Sequence, residues 1–341
     1  YDADLLDYFA FLCGAENQPA LLPASDCTAL QEYGYSTDSS DLNLPSMGIA
    51  ELVGSQTITR RVTSVAKGTQ WYWAHVDAPE GIEVSVSPSI LRLKEGETAT
   101  FEVTFTATSA AALGDWAFGA LSWSQGFRQV RSPIAVRPVA ISTAASVSAE
   151  GTDGSLQIPL AFGYDGAYQA VVNGIAEGLP ISDAVEDGAD SLLFFEVPEG
   201  TSFSRFALFD ADVGAGDGSD DLDLQVLGPD VAGWPLVGSS GTPTSAEQVD
   251  MVNPQPGMYA VFVIDYASAA GPTPFTLFNF NLQGDASNTR LNGPATATVG
   301  GSGMLQLEWM GLNSGSRALG IVQHQNASGV IGTTEVSINT R

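Results

Sequence analysis

The sequence predicts an all-β chain of tandem β-sandwiches, with helix confined to roughly the first 35 residues. Three observations carry that reading. Beyond Ser46 apolar residues recur at period two, the spacing of half-buried strands. The alternating segments are short and bounded by turn formers, in a chain with 37 Gly and 18 Pro. The longest apolar run, Met258 to Ile264, has the length of a strand and falls far short of the ~20 residues that span a bilayer.

The elements follow in order. Asp4 to Leu12 has apolar residues at helical spacing, an acidic start and Gly14 just past its end. Ser25 to Glu32 opens on a capping residue and stops before Gly34. Strands are expected at Thr57–Val62, Gln70–Val76, Ile82–Val86, Ile90–Leu93, Phe101–Phe105, Trp116–Trp123 and Arg128–Val136. About seven strands in roughly 90 residues is the count of an immunoglobulin-like sandwich. A stretch of small residues, Ile141 to Ala149, reads as a separator. A second strand-rich region follows, from Leu156 to Phe280, and four last strands lie between Ala295 and Ile338. The expected division is a helical segment at 1–45, a first sandwich at 46–138 and a second at 150–288. Residues 289–341 close that second sandwich or form a small third one.

Charge excludes some partners. The chain has 341 residues with 12 Lys+Arg against 39 Asp+Glu, a formal charge of −27. Such a surface repels phosphate backbones and anionic lipid, so neither nucleic acid nor membrane is expected as a partner. Only Lys67 and Lys94 are lysines, and eight of the twelve basic residues lie before residue 138. An acidic, lysine-poor surface suits secretion into salt. With no starting Met and no leader, Tyr1 is expected to begin a processed or expressed piece. The two cysteines, Cys13 and Cys27, read as one disulfide in an oxidising, extracellular compartment. A metal pair or a reactive thiol is the rival reading, with only two His, His75 and His324, to complete a ligand set.

Several ordered motifs then become recognisable. Tyr1-Asp-Ala-Asp-Leu-Leu-Asp-Tyr-Phe-Ala-Phe-Leu-Cys-Gly14, Tyr33-Gly-Tyr35 and Asp41-Leu-Asn-Leu-Pro-Ser46 resemble the segment that follows the catalytic domain of plant-type and bacterial subtilases. Thr57-Ile-Thr-Arg-Arg-Val-Thr-Ser-Val65, Ala78-Pro-Glu-Gly-Ile-Glu-Val84 and Arg131-Ser-Pro-Ile-Ala-Val136 look like those enzymes' fibronectin type III-like domain. The resemblance spans roughly 1–137, and Leu44 stands where the family usually has Tyr. Val197-Pro-Glu-Gly-Thr201, Asp221-Leu-Asp-Leu224, Ser245-Ala-Glu-Gln-Val249 and Asn253-Pro-Gln-Pro-Gly-Met-Tyr259 are similar to bacterial pre-peptidase C-terminal domains. That likeness implies a jelly-roll sandwich over roughly 190–283.

A subtilase also needs Asp, His and a Ser that opens a helix in Gly-Thr-Ser-Met-Ala. Here Gly200-Thr-Ser202 sits between Pro198-Glu199 and Phe203-Ser-Arg-Phe206, the context of a turn entering a strand. Gly238-Ser-Ser-Gly241 lacks the spacing of a nucleophile elbow. His75 shares a face with Trp71 and Trp73 and reads as packing inside the sandwich, while His324, between two Gln, reads as a surface strand end. No catalytic residue is assigned, and the isolated chain is expected to cut no peptide.

Two constellations remain. Asp210, Asp212, Asp217, Asp221 and Asp223, with glycines between them, could fold oxygens around Ca²⁺, against the alternative of a solvated acidic loop. Trp234, Tyr266 and Trp309 could line a binding face, against the alternative of core packing. The function expected is the non-catalytic C-terminal accessory region of a secreted subtilisin-like serine endopeptidase. Its partners would be the catalytic domain of the same precursor and a protein or polymer substrate. The alternative is a free-standing extracellular adhesion module.

Overall fold

The computed structural model describes residues 1, 3–14, 22–268 and 271–341. It is built of tandem β-sandwiches and falls into two compact units. Unit 1 comprises Tyr1–Ser142 with Leu160–Ala167 and Thr296–Gly303, and unit 2 comprises Thr143–Pro159, Tyr168–Ala295 and Met304–Arg341.

In unit 1, α1 (Leu5–Gly14) and α2 (Ala24–Glu32) are joined by a Cys13–Cys27 disulfide. Eight strands follow: β1 (Met47–Leu52), β2 (Ser55–Thr63), β3 (Gln70–Asp77), β4 (Ile82–Ser87), β5 (Ile90–Leu93), β6 (Thr98–Ala107), β7 (Ala117–Gln125) and β8 (Arg128–Pro138). They form a five-stranded sheet in the order β1-β8-β7-β3-β5 and a three-stranded sheet β2-β6-β4. Ile58, Phe101, Val103, Phe105, Leu121, Trp123, Ile134 and Val136 alternate inward and fill the space between them.

The Thr-Arg-Arg motif of β2 holds the preceding segment. The Asn43 side chain accepts from Arg61 N at 2.8 Å and donates to Arg61 O at 3.0 Å, so one amide pairs as a strand would. Asp41 accepts from Thr59 N at 2.6 Å. Arg60 is 3% exposed, and its guanidinium donates to the carbonyls of Ser40, Leu44, Ser46 and Thr59. The residues around Leu42 to Pro45, apolar for a linker, are thus fastened to β2 itself.

Unit 2 contains β9 (Ser146–Glu150), β10 (Gln169–Glu177), β11 (Leu179–Val185), β12 (Asp190–Val197), β13 (Phe203–Ala207) and β14 (Asp221–Leu227). It continues with β15 (Leu236–Ser240), β16 (Gln248–Val252), β17 (Gly257–Ala267), β18 (Thr273–Leu282), β19 (Arg317–Asn326) and β20 (Gly329–Asn339). Two four-stranded sheets, β11-β18-β13-β16 and β12-β17-β14-β15, enclose Phe195, Phe206, Leu222, Leu224, Val226, Tyr259, Val261 and Leu277. A further sheet has the order β9-β20-β19-β10.

That last ladder differs from the expected division at 150–288 and 289–341. The strand Gln169–Glu177 pairs with Arg317–Asn326, so the eight strands from Leu179 to Leu282 lie between two segments that pair with each other. The small-residue separator also contains a strand, since Ser146–Glu150 runs parallel to β20. In β13 every residue is buried. Phe206 points into the sandwich core, while Phe203 and Ala207 pack with Phe278, Phe280 and Leu319 on the other side. A strand covered on both faces loses its alternation.

Candidate functional site

The five aspartates of the expected cation site do not converge. Asp212 is claimed by two guanidiniums: Arg317 Nε at 2.7 Å on one oxygen and Arg341 Nη1 on the other. Asp217 is exposed and accepts from Ser219 N at 3.0 Å, and its hydrogen bonds to Ser219 hold its pKa below the usual range. Asp210 has one buried oxygen without a partner. Asp221 and Asp223 do share a face, because Leu222 and Leu224 take the inward positions. Their neighbours are Glu247 and Asp265 rather than the loop. Desolvation, then repulsion from Glu247 and Asp265, raises the pKa of Asp221. Desolvation, then repulsion from Asp221 and Glu247, raises that of Asp223. Among the described residues no three His, Cys, Asp or Glu are grouped to hold a metal ion. Glu247 and Asp265 lie on other segments of the chain, so no local pattern could have disclosed them.

The histidines lie opposite to the sequence reading. His75 is exposed, with Trp71 and Trp73, because Tyr72 and Ala74 take the core side of β3. His324 is fully buried. Thr334 Oγ1 gives its proton to Ala144 O at 2.8 Å, so it accepts from His324 Nε2 at 3.0 Å. His324 Nδ1 then accepts from Tyr168 Oη at 2.6 Å. Burial in this neutral tautomer pulls the imidazole down to about 4. Ser202 Oγ donates to Leu282 O at 3.0 Å, so neither it nor His324 is arranged as nucleophile or base. Of the aromatics weighed for a binding face, Trp309 takes the core-packing alternative. Its Nε1 donates to Gly151 O at 3.0 Å, Trp234 meets the edge of Phe194, and Tyr266 is exposed.

The sequence missed a different face. On the outer side of the five-stranded sheet, cross-strand partners form rows, since directly opposed residues project to the same side. One row runs Gln129, Ser124, Trp73, Ile90, and the next runs Arg131, Ser122, His75. Trp71 lies opposite Arg92, whose guanidinium stands 5.9 Å from the indole centroid. Trp71 and Trp73 are 50% and 46% exposed, while Ser122 between the strands is 8% exposed. The indoles therefore rise from a low floor of hydroxyls.

Comparison with known proteins gives this arrangement a context. Residues 41–136 match the family described as fibronectin type-III domain. The chain is 37% identical over 135 residues to the subtilisin-like serine-protease S of Lotus japonicus, covering 39% of this chain and 18% of that protein. It is 35% identical over 145 residues to the CO(2)-response secreted protease of Arabidopsis thaliana, covering 40% and 19%. It is 33% identical over 139 residues to the Arabidopsis subtilisin-like protease SBT1.7, covering 40% and 18%. The chain thus spans less than a fifth of these relatives' length. Among solved structures, the secreted serine protease VesC of Vibrio cholerae matches at 11% identity and a TM-score of 0.23, over 69% of this chain and 49% of that one.

Proposed function

We propose that this chain is the non-catalytic accessory region of a secreted subtilisin-like serine endopeptidase, stabilising the catalytic domain that precedes it. The observation that carries the reading is the match of about 40% of this chain to a minor part of several subtilisin-like proteases. Local structure supports it. Leu5, Leu6 and Tyr8 on α1 and Tyr33 beyond α2 expose large apolar surface, which a preceding domain would cover. Inside unit 1, α1 is fixed by Asp7 to Arg61 at 3.0 Å and by the Cys13–Cys27 bond, so the helix presents those side chains from a held position. In this reading the cutting residues belong to the rest of the precursor, while Ser202 and His324 are engaged in hydrogen bonds and His75 is exposed. No helix among the described residues is long and apolar enough to cross a membrane, and the disulfide and the acidic surface support the secretion part of the proposal. In this reading unit 2, which carries the pre-peptidase-like motifs, is a second accessory domain.

The test is a truncation series of the full precursor. Stopping before Asp41 is expected to lower secretion or the thermal half-life of activity. Stopping near Pro138 is expected to spare turnover of small substrates. If both truncated enzymes equal the intact one in yield and stability, the accessory reading fails and the adhesion module takes its place.

A further inference from the structure

The rows on the outer side of β8, β7, β3 and β5 combine two half-exposed indoles, two hydroxyls, an amide and two arginines. In a chain with 39 carboxylates and 12 basic side chains, an arginine is expected to find an acid. Among the described residues Arg61, Arg137, Arg205, Arg317 and Arg341 have a carboxylate within ion-pair distance, whereas Arg92 and Arg131, like Arg60, Arg128 and Arg290, have none. Asp77 lies a further two residues along β3 from His75, opposite Ala120, and Glu51 of β1 is engaged by Arg137 at 3.8 Å.

We propose that this face binds an acidic polysaccharide, a chain of pyranose rings bearing carboxylate or sulfate groups. Alternation sets Trp71 and Trp73 on one side of the strand, roughly 6.5–7 Å apart at Cα. Indoles offer a broad apolar surface against which the C–H faces of sugar rings stack. Ser122, Ser124 and Gln129 supply donors and acceptors for hydroxyl edges, and each can do so without leaving a buried group unpaired. Arg92 and Arg131, on opposite flanks, match acidic substituents in charge and in bidentate geometry. A protein partner would seat its anchors in desolvated pockets, and the small Ser floor of an open sheet face provides a trough instead. The repulsion that disfavours polyanions over the whole chain is weakest here, because residues 1–137 hold eight of the 12 basic side chains and 16 of the 39 acidic ones. Charges beyond about 8 Å are also largely screened at physiological ionic strength. This proposal stands on unit 1 alone and does not depend on the peptidase reading.

The experiment is affinity electrophoresis of the full chain in native gels containing polygalacturonate, dextran sulfate or uncharged dextran. Retardation by either polyanion and not by dextran is expected. Trp71→Ala with Trp73→Ala should weaken binding by roughly tenfold or more. Arg92→Gln with Arg131→Gln should weaken it and flatten its dependence on salt. These side chains are exposed, and an unchanged melting temperature confirms that each variant is folded. Independently of any variant, titrating the unmodified chain with polygalacturonate or dextran sulfate should shift its tryptophan emission. Equal retardation by dextran, binding that survives either double substitution, or absence of retardation by both polyanions would overturn the proposal.

Discussion

Each unit buries one arginine, and the two solutions differ. Arg60 in unit 1 is 3% exposed and Arg205 in unit 2 is 5% exposed. Arg60 is caged by backbone carbonyls, and burial depresses its pKa with Asp41 offsetting part of the effect. Arg205 is caged by carboxylates, with Asp250 at 2.6 Å and Glu335 at 2.6 Å. Burial acts against its charge there too, but the bonds to Asp250 and Glu335 outweigh it and hold the pKa above the ordinary value. The first cage satisfies the chain entering the sandwich, so its work is to fix a segment. The second joins strands distant in sequence, β13, β16 and β20, so its work is to hold a sheet-to-sheet contact. Unit 2 therefore depends on charge where unit 1 depends on backbone hydrogen bonds.

Removing each cation separates these roles. Arg205→Met leaves two carboxylates facing an apolar side chain and should cost about 3–5 kcal/mol. Arg205→Lys should recover little, since a single ammonium cannot serve two carboxylates bidentately. Arg60→Met leaves carbonyls unpaired, with an expected cost of about 1–3 kcal/mol. Calorimetry of both variants is the check, with the loss confined to the transition of the unit that carries the change. Equal losses would erase the distinction drawn between the cages.

A second way to sharpen the contrast is pH. Below pH 6.5 the unfolded chain takes up a proton on His324 that the folded chain refuses until about pH 4. Unit 2 should therefore lose stability across that window, by about 3 kcal/mol in all. In unit 1 the shifted groups are Asp4, Tyr1, Tyr35, Arg60 and Tyr164, with Asp4 moved down and the tyrosines moved up, away from that window. His324→Gln should cost stability at pH 7 and abolish the slope. Urea midpoints from pH 7 to pH 4.5 measure it, and a slope unchanged in the variant would locate the proton elsewhere.

These histidines also show how far the sequence reads. Period two told correctly that Trp71, Trp73 and His75 share a face, but periodicity does not say which face is the core. Tyr72 and Ala74 are smaller and less apolar than the two indoles, yet they are the pair that packs inward. Around His324 the outward residues are Gln323 and Gln325, so their polarity marks the strand's solvent side and its histidine's burial. Read as neighbours they suggested a surface end; read as alternation they place His324 beside Val322 in the core. The tandem sandwiches were legible from strand length and spacing. The pairing of Gln169–Glu177 with Arg317–Asn326 was not, because no local pattern encodes a partner some 150 residues away. The carboxylates of Glu247 and Asp265 near Asp221 escaped for the same reason.

That cluster gives the smallest expected effect and the finest test of charge in unit 2. Asp221 and Asp223 have their pKa values raised by desolvation and by like charges. The folded chain thus binds protons more readily than the unfolded one, and these two groups add stability as pH falls through their folded values. They oppose the effect of His324 at the acid end of its window. Asp221→Asn should stabilise unit 2 at pH 7 by about 0.2–1 kcal/mol, the scale of a relieved like-charge pair, and the gain should vanish on acidification. Salt screens the same repulsion. Because Asp212 is held by Arg317 and Arg341 and Asp217 is turned toward Ser219, the carboxylates are not gathered around one point. CaCl₂ and NaCl at matched ionic strength should then raise the melting temperature equally, and the Asp221→Asn variant should gain less from either. A larger shift with calcium that disappears in Asp221→Asn would mean that Asp221, Asp223 and the unpaired oxygen of Asp265 close on an ion after all.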